Sequence, residues 1–534
     1  MKRYLIASSL LLVLGVESAF GYGSTSSWPT IPEAGTQIGV VGQTFTEDFS
    51  DTMGSASLIQ AYRPNPTNSS GYGIDYICES ALDQKCADEY GSAEMLLPHC
   101  SVDDTSMCVE RLYLENQGRV VEGTFNRMVN SKKAIGNPAL GIPNGYNSSL
   151  WTVPGMPHAG GEESYSIYAS YKAFLNGGLQ KFRVSVNPYV IKRDSSYREQ
   201  AYSESPSGDG GQRIVGANGA TGCVWIENGI CGFPSNFSDG VKVGVVVRVS
   251  QQVKGWLNGR VQRPEIQFSA IDSRLNRLEI FGSPTTVQKV YGKTLISTGD
   301  KDVVDSIRYL GWNENSQYLG TTTADDAKSI PVFELWRRYI PEQADSMKTY
   351  WSFAVAGNSD QRCFAEATGV VGIVTTNSVV YEPSAPLFTN GELQYKVAGV
   401  PLTPSGERFP GSYDLVIDSK VARCLYGFTN APIKASVSIS AEDGARSIET
   451  VATGEKDGWF SLGAYGFGFS SPTIKVQLTQ DVPTASSQTA AGAAPGKSQV
   501  QSSQNVAKKL TLCIKGVKSK KVVGKKCPKG YKRA

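Results

Sequence analysis

Ten cysteines constrain this 534-residue chain more than any other feature. Their number is even, as suits folding in an oxidising setting. Cys78 and Cys86, Cys100 and Cys108, and Cys223 and Cys231 each stand eight residues apart. Cys513 and Cys527 are fourteen apart, which leaves Cys363 and Cys424 as a long-range remainder. These spacings predict five bridges, with connectivity left open because spacing alone does not fix it. A disulfide closing an eight-residue loop clamps a hairpin or a surface excursion and stabilises it by roughly 2–3 kcal/mol in the loop-entropy picture. The rival use of Cys78, Cys86, His99, Cys100 and Cys108 is a zinc centre. Zinc ligands usually arrive as close pairs, and seven intervening residues are too many. No metal and no other cofactor is expected.

The start of the chain points to the same compartment. Lys2 and Arg3 precede an apolar run from Tyr4 to Val16, and Ala19-Phe20-Gly21 supplies a small-x-small cleavage pattern. Residues 1–21 therefore read as a secretory leader, cut after Gly21. Its apolar run is short for a bilayer crossing. No transmembrane segment is expected once the leader is removed.

Charge is unevenly spread. The chain carries a formal +3, yet eleven Lys or Arg and no acid fall between Lys508 and Ala534. Setting aside that tail and the leader's +1 leaves −9 on residues 22–507. Nucleic acid is accordingly not expected as a partner of the body. Only two histidines, His99 and His158, occur. A histidine-based triad or a multi-histidine metal site has almost nothing to be built from. No G-x-S-x-G, S-x-x-K, H-E-x-x-H or P-loop motif is present. The acidic pairs Glu162/Glu163, Asp325/Asp326 and Asp302/Asp305 read as solvated surface, so no catalytic residue is assigned and the chain is not expected to be an enzyme. Asp443-Gly444 and Asp457-Gly458 read as hairpin turns, since they lack calcium-ligand spacing.

The fold expected is mainly β and multi-domain. Residues 22–110 are rich in Gly, Ser, Asn and Pro and read as a loop-rich, disulfide-stapled region. Residues 111–325 carry the stronger strand signal. In VKVGVVVRVS, Val241, Val243, Val245, Val247 and Val249 alternate with Lys242, Gly244, Val246, Arg248 and Ser250, the period of a half-buried strand. KFRVSVNPYVIKR and RPEIQFSAI read alike, while YREQAYSESPSGDGGQR reads as a loop.

Residues 326–381 form a connector with one short helical segment near 326–340. There Phe333, Trp336 and Tyr339 recur at helical spacing and Pro341 ends the run. Trp336 is expected to be a core anchor. Residues 382–480 read as a C-terminal β-sandwich, with strands in GELQYKVAG, SYDLVID, PIKASVSIS, GWFSLGAYGF and PTIKVQLTQ separated by turn signals. Cys424 would tie one of these strands back to Cys363. Residues 481–507 lack aromatics and nearly all large apolar residues, the composition of a disordered linker. Residues 508–534 form a small, disulfide-closed basic tail in which LTLCIKG and KKVVG could pair.

Two stretches resemble a known pattern. The tail CIKGVKSKKVVGKKCPKGYKRA, after its Ser/Ala-rich linker, resembles a C-terminal module of exported proteins of aquatic actinobacteria. YWSF, GIVTTN, PLFTNGELQYKVAG, YDLVIDSKVARCLYGFTNAPI and EKDGWFSLGAYGFGFSSPTIKVQL resemble the C-terminal β domain of the same uncharacterised family of cell-surface proteins. The likeness covers roughly residues 350–534 and, more loosely, the strands from about 240. It implies a bacterial envelope or secreted setting and carries over no catalytic residue. The sequons at Asn68, Asn147 and Asn236 would then be chance matches.

Together these readings give an exported, non-enzymatic protein, adhesive or structural, secreted and retained at the cell surface. Lys515, Lys518, Lys520, Lys521, Lys525, Lys526, Lys529, Lys532 and Arg533 would bind anionic envelope polymers or lipid head groups. Each cation near an anionic surface contributes on the order of 1 kcal/mol at most, less in salt. The alternatives are a secreted glycan-binding protein or glycoside hydrolase, with glycans as partner, and a soluble extracellular ligand-binder. In the glycan alternative the eight tryptophans and many tyrosines could form a sugar platform, though most are expected in the core.

Overall fold

A computed structural model describes residues 39–480 apart from 48–55, 65–71, 88–89, 104–105, 131–132, 196, 198–222, 228, 298, 309–316, 357–361, 430–432, 441–449 and 470–472, and also the strands within 510–533. The chain divides into two compact units, Met1–Asp481 and Val482–Ala534. The architecture is mainly β, with several sheets and few short helices.

One continuous ladder organises the larger unit. It runs from Tyr72–Cys78 through Leu58–Pro64, Gly91–Leu96, Ser164–Phe174, Leu179–Arg193 and Ser346–Val355 to Gly255–Ala270. It continues through Val370–Thr376 and Gly411–Asp418 to Trp459–Phe467 and Thr450–Lys456. Strands from both sides of residues 110, 325 and 382 thus share hydrogen bonds. A second ladder joins Arg119–Glu122, Cys108–Asn116, Val241–Ser250, Leu275–Leu295 and the far half of Gly255–Ala270. Gly255–Ala270 serves both. Its register shifts between Gln262 and Glu265, where Arg263 adopts φ 52°, and the bulge turns the strand from one sheet into the other.

The main core lies between these ladders. Phe182, Val184 and Val186 meet Leu112, Leu114 and the valines of Val241–Ser250 there. That strand follows the alternation expected at its ends, where Lys242 and Arg248 are half-exposed. In the middle it does not, because Gly244 and Val246 are buried too. The Tyr113 ring lies so close over Gly244 that a Cβ there would sit 2.1 Å from it. Both faces are covered, so the valine run is denser than a half-buried strand needs.

The region 382–480 forms the expected sandwich. All five expected strands are present, as Glu392–Ala398, Gly411–Asp418, Ile433–Ser440, Trp459–Phe467 and Thr473–Gln480. Glu392–Ala398 and Thr473–Gln480 supply Leu393, Tyr395, Val397, Ile474, Val476 and Leu478 to a core shared with Tyr413, Leu415, Ile417, Phe460, Leu462 and Ala464. Asp457 (φ 52°) and Gly458 (φ 83°) form the hairpin turn between Thr450–Lys456 and Trp459–Phe467. Asp443-Gly444 and the 198–213 loop lie outside the described residues. The helical connector is Ser329–Trp336, followed by a 3-10 turn Arg337–Tyr339. Trp336 and Phe333 are both fully buried, and Phe333 meets Phe45 edge-on at 5.1 Å.

Three expectations are corrected. Residues 22–110 are not loop-rich throughout, since Val40–Thr46, Leu58–Pro64, Tyr72–Cys78 and Gly91–Leu96 are strands. Val40–Thr46 is flanked by Leu275–Leu295 (antiparallel) and Gln317–Thr323 (parallel), and burial on both faces erases its alternation. Cys424 lies on a helix, Ser419–Tyr426, not on a strand. Asp418 caps its first turn by accepting from the Lys420 and Val421 amides, and Gly427 ends it in the left-handed region at φ 64°. Further short helices occur at Gln84–Ala87, Lys301–Arg308 and Arg362–Ala365, where a single helical segment was expected.

Candidate functional site

Four of the expected disulfides are formed, Cys78–Cys86, Cys100–Cys108, Cys223–Cys231 and Cys363–Cys424. The last joins Arg362–Ala365 to Ser419–Tyr426. Such a set fits folding in an oxidising environment. Among the described residues no helix is long and apolar enough to cross a membrane.

In the smaller unit, Leu510–Lys515 pairs antiparallel with Lys518–Val523, as LTLCIKG and KKVVG suggested. Lys532–Arg533 adds a third strand against Cys513 and Ile514. Directly opposed residues of an antiparallel pair share a face and neighbours alternate. The register therefore puts positions 515, 518, 520 and 533 on one face and positions 521 and 532 on the other. Lys515, Lys518, Lys520 and Arg533 thus occupy one side of the ribbon, and Lys521 and Lys532 the opposite side. Lys525, Lys526, Lys529 and the Cys527 expected to bridge Cys513 lie outside the described residues.

The body gathers its charge inside. The parallel strands Val40–Thr46 and Gln317–Thr323 end beside each other, and the residues that follow deliver Glu47 and Asp325 to the main ladder. Arg260 is wholly buried. It donates through Nε to Glu47 at 2.9 Å and through Nη1 to the Thr376 carbonyl at 2.7 Å, and it stacks over Tyr381 at 4.6 Å. Arg183 reaches Asp325 at 3.2 Å and Glu47 at 3.8 Å, and Lys181 joins Asp325 at 3.0 Å. Burial pushes the Glu47 carboxyl above its usual range, against the pull of Arg260 and Arg183. This overturns the reading of Asp325 as solvated surface. Its side chain is 7% exposed, buried by partners far away in the sequence.

A second buried carboxylate lies on Gly411–Asp418. Asp414 is only 4% exposed and accepts a hydrogen bond from the Tyr465 hydroxyl at 2.5 Å. A Cβ at Gly463 would sit 2.3 Å from that hydroxyl, so glycine there lets the ring fold across the strand. Burial pushes Asp414 up to about 6, opposed by Tyr465, by the Arg263 backbone and by the Arg263 charge.

The remaining polar candidates have structural tasks. Glu163 accepts from the Gly155 amide at 2.8 Å, Glu162 from the Ile191 amide at 3.3 Å, and Asp326 from the Lys328 amide at 2.7 Å. Asp302 is exposed, while Asp305 pairs with Lys301 one turn away. Buried His158 accepts from the Gly160 amide at Nδ1, 3.0 Å, and meets the Tyr189 carbonyl through Nε2, 3.0 Å; burial lowers its pKa. His99 stacks on Phe125 at 4.3 Å. Trp151, Trp225, Trp256, Trp336 and Trp351 are all buried, so these five form no surface platform.

Compared with models of known families and with characterised proteins, the chain matches none.

Proposed function

We propose that this is an exported, non-enzymatic cell-surface protein of the actinobacterial type named above, adhesive or structural, whose basic C-terminal unit docks on anionic envelope polymers or lipid head groups. The observation that carries the reading is the partition of charge. Eleven cations without an acid occupy residues 508–534, and the described part of that unit is a ribbon with four cationic positions on one face. Repeated cations on one side suit an extended anionic surface better than a single small ligand. A body stapled by four disulfides and built of long ladders suits exposure outside the cytoplasm. Binding of residues 22–534 and 22–507 to purified envelope, across a salt series, tests the proposal. Docking requires that only the longer form binds and that salt releases it. Equal binding by both forms refutes it.

A further inference from the structure

The strands Leu58–Pro64, Gly91–Leu96 and Ser164–Phe174 turn Ile59, Ala61, Ala93, Met95, Tyr171 and Ala173 into the main core. Their other face is different. Ala61 is registered with Gly91, so Tyr62 and Tyr90 stand opposite each other, with ring centroids 6.0 Å apart. Ser92 is registered with both Gln60 and Phe174, and Glu94 with Lys172. All these positions share one face by strand alternation. Tyr90 is 57% exposed and Phe174 38%.

Beneath and beside the rings lies a hydrogen-bonded floor. Gln60 donates to the Tyr62 hydroxyl, which lies 3.1 Å from the Ser92 hydroxyl. Glu94 accepts from Tyr168 at 2.7 Å and from Ser170 at 3.1 Å, with Lys172 at 4.0 Å. Gln60, though buried, keeps its Oε1 without a hydrogen-bond partner among the described groups.

We propose that this patch binds a neutral polysaccharide, with Tyr90 and Phe174 stacking on the C–H faces of pyranose rings and the part-exposed Glu94 and Lys172 meeting their hydroxyls. A sugar ring has apolar faces and a hydroxyl rim, and the patch offers both complements at once. Its charged pair, Glu94 and Lys172, lies 4.0 Å apart and offsets itself, which suits a neutral ligand. The exposed rings are flanked by serine, glutamine and ionic side chains, too polar a surround for an acyl chain or the apolar centre of a protein interface. Phe174 ends one strand and Tyr90 immediately precedes another, its backbone carbonyl accepting from the Tyr62 amide at 2.7 Å, which limits the ordering cost of binding. The inference is independent of the tail and gives the body a ligand of its own.

The test uses the mature chain, residues 22–534, and depletion onto insoluble cellulose, chitin, xylan or β-1,3-glucan. Salt of about 1 M, where the Debye length is near 3 Å, silences electrostatic docking. The expected result is depletion on at least one polymer. Tyr90→Ala and Phe174→Ala each weaken it roughly tenfold, the cost of losing a central aromatic contact. Tyr90→Phe and Phe174→Tyr, which keep a ring at each place, retain binding. No depletion on any of the four polymers overturns the proposal, as does binding by the Tyr90→Ala/Phe174→Ala double variant equal to the parent. Equal loss in the ring-retaining variants overturns it too. Failure of the tail reading appears separately, in the low-salt envelope assay.

Discussion

Asp414→Asn should flatten a pH dependence that the native protein carries. Burial raises this carboxyl from 3.8 to about 6 in the folded state. Between those values the folded protein holds a proton that the unfolded chain has released. Stability must therefore fall as pH rises through this window, and the penalty is complete above about 6. At about 1.36 kcal/mol for each tenfold change in proton affinity, its full size is about 3 kcal/mol. Asparagine keeps an oxygen to accept from the Tyr465 hydroxyl and does not ionise. Urea unfolding followed by tryptophan fluorescence, at intervals from pH 4 to pH 7.5, measures the free-energy difference between variant and parent. That difference should move in the variant's favour by about 2 kcal/mol from the acid end, where the penalty has already begun, to the neutral end. Tyr465→Phe should act oppositely, because removing the donor to the charged carboxylate raises its pKa further and steepens the fall. Parallel curves for Asp414→Asn and the parent would show that Asp414 titrates at its ordinary value, and the argument from burial would fail.

Two further perturbations follow from the interior. Arg260→Met leaves Glu47 buried without its closest cation and should cost about 3–5 kcal/mol, whereas Arg260→Met with Glu47→Gln recovers most of the loss; a double-mutant cycle in urea reads both. Replacing Cys363 and Cys424 by serine opens a loop of 61 residues and should destabilise the native state by about 4 kcal/mol in the chain-entropy model, measured as a lowered denaturation midpoint under non-reducing conditions.

The sandwich at 382–480 was legible because alternation and turn residues agreed there. GELQYKVAG and PTIKVQLTQ each put one apolar face inward, and Asp457-Gly458 is the residue pair a tight hairpin needs. Three of the described bridges match the eight-residue spacings and Cys363–Cys424 matches the remainder, though spacing alone left the connectivity open; Trp336 followed from helical recurrence. Strand Val40–Thr46 was hidden because both of its faces are buried over Val40–Gln43, so its sequence there lacks the period of two. The helix carrying Cys424 did leave a signal, Asp418 before the run and Gly427 after it, masked by the strand-like residues just upstream. Glu47, Arg183, Arg260 and Asp325 left none. Arg260 meets Glu47 across 213 residues, and a single arginine in a strand reads as an outward-facing residue until its partner is known.

The seat of the first described strand has a consequence for how the molecule comes into being. Among the described residues Val40–Thr46 pairs only with residues beyond 289, Val40 lying opposite both Leu295 and Gln317. At synthesis rates of about 5–20 residues per second, its neighbours emerge roughly 15–55 seconds after it does. Throughout that interval Val41 and Phe45 have no native place to go, and the strand's bare edges are open to other nascent chains. The earliest of the described strands is among the last to be seated, which makes assembly hostage to the far half of the chain.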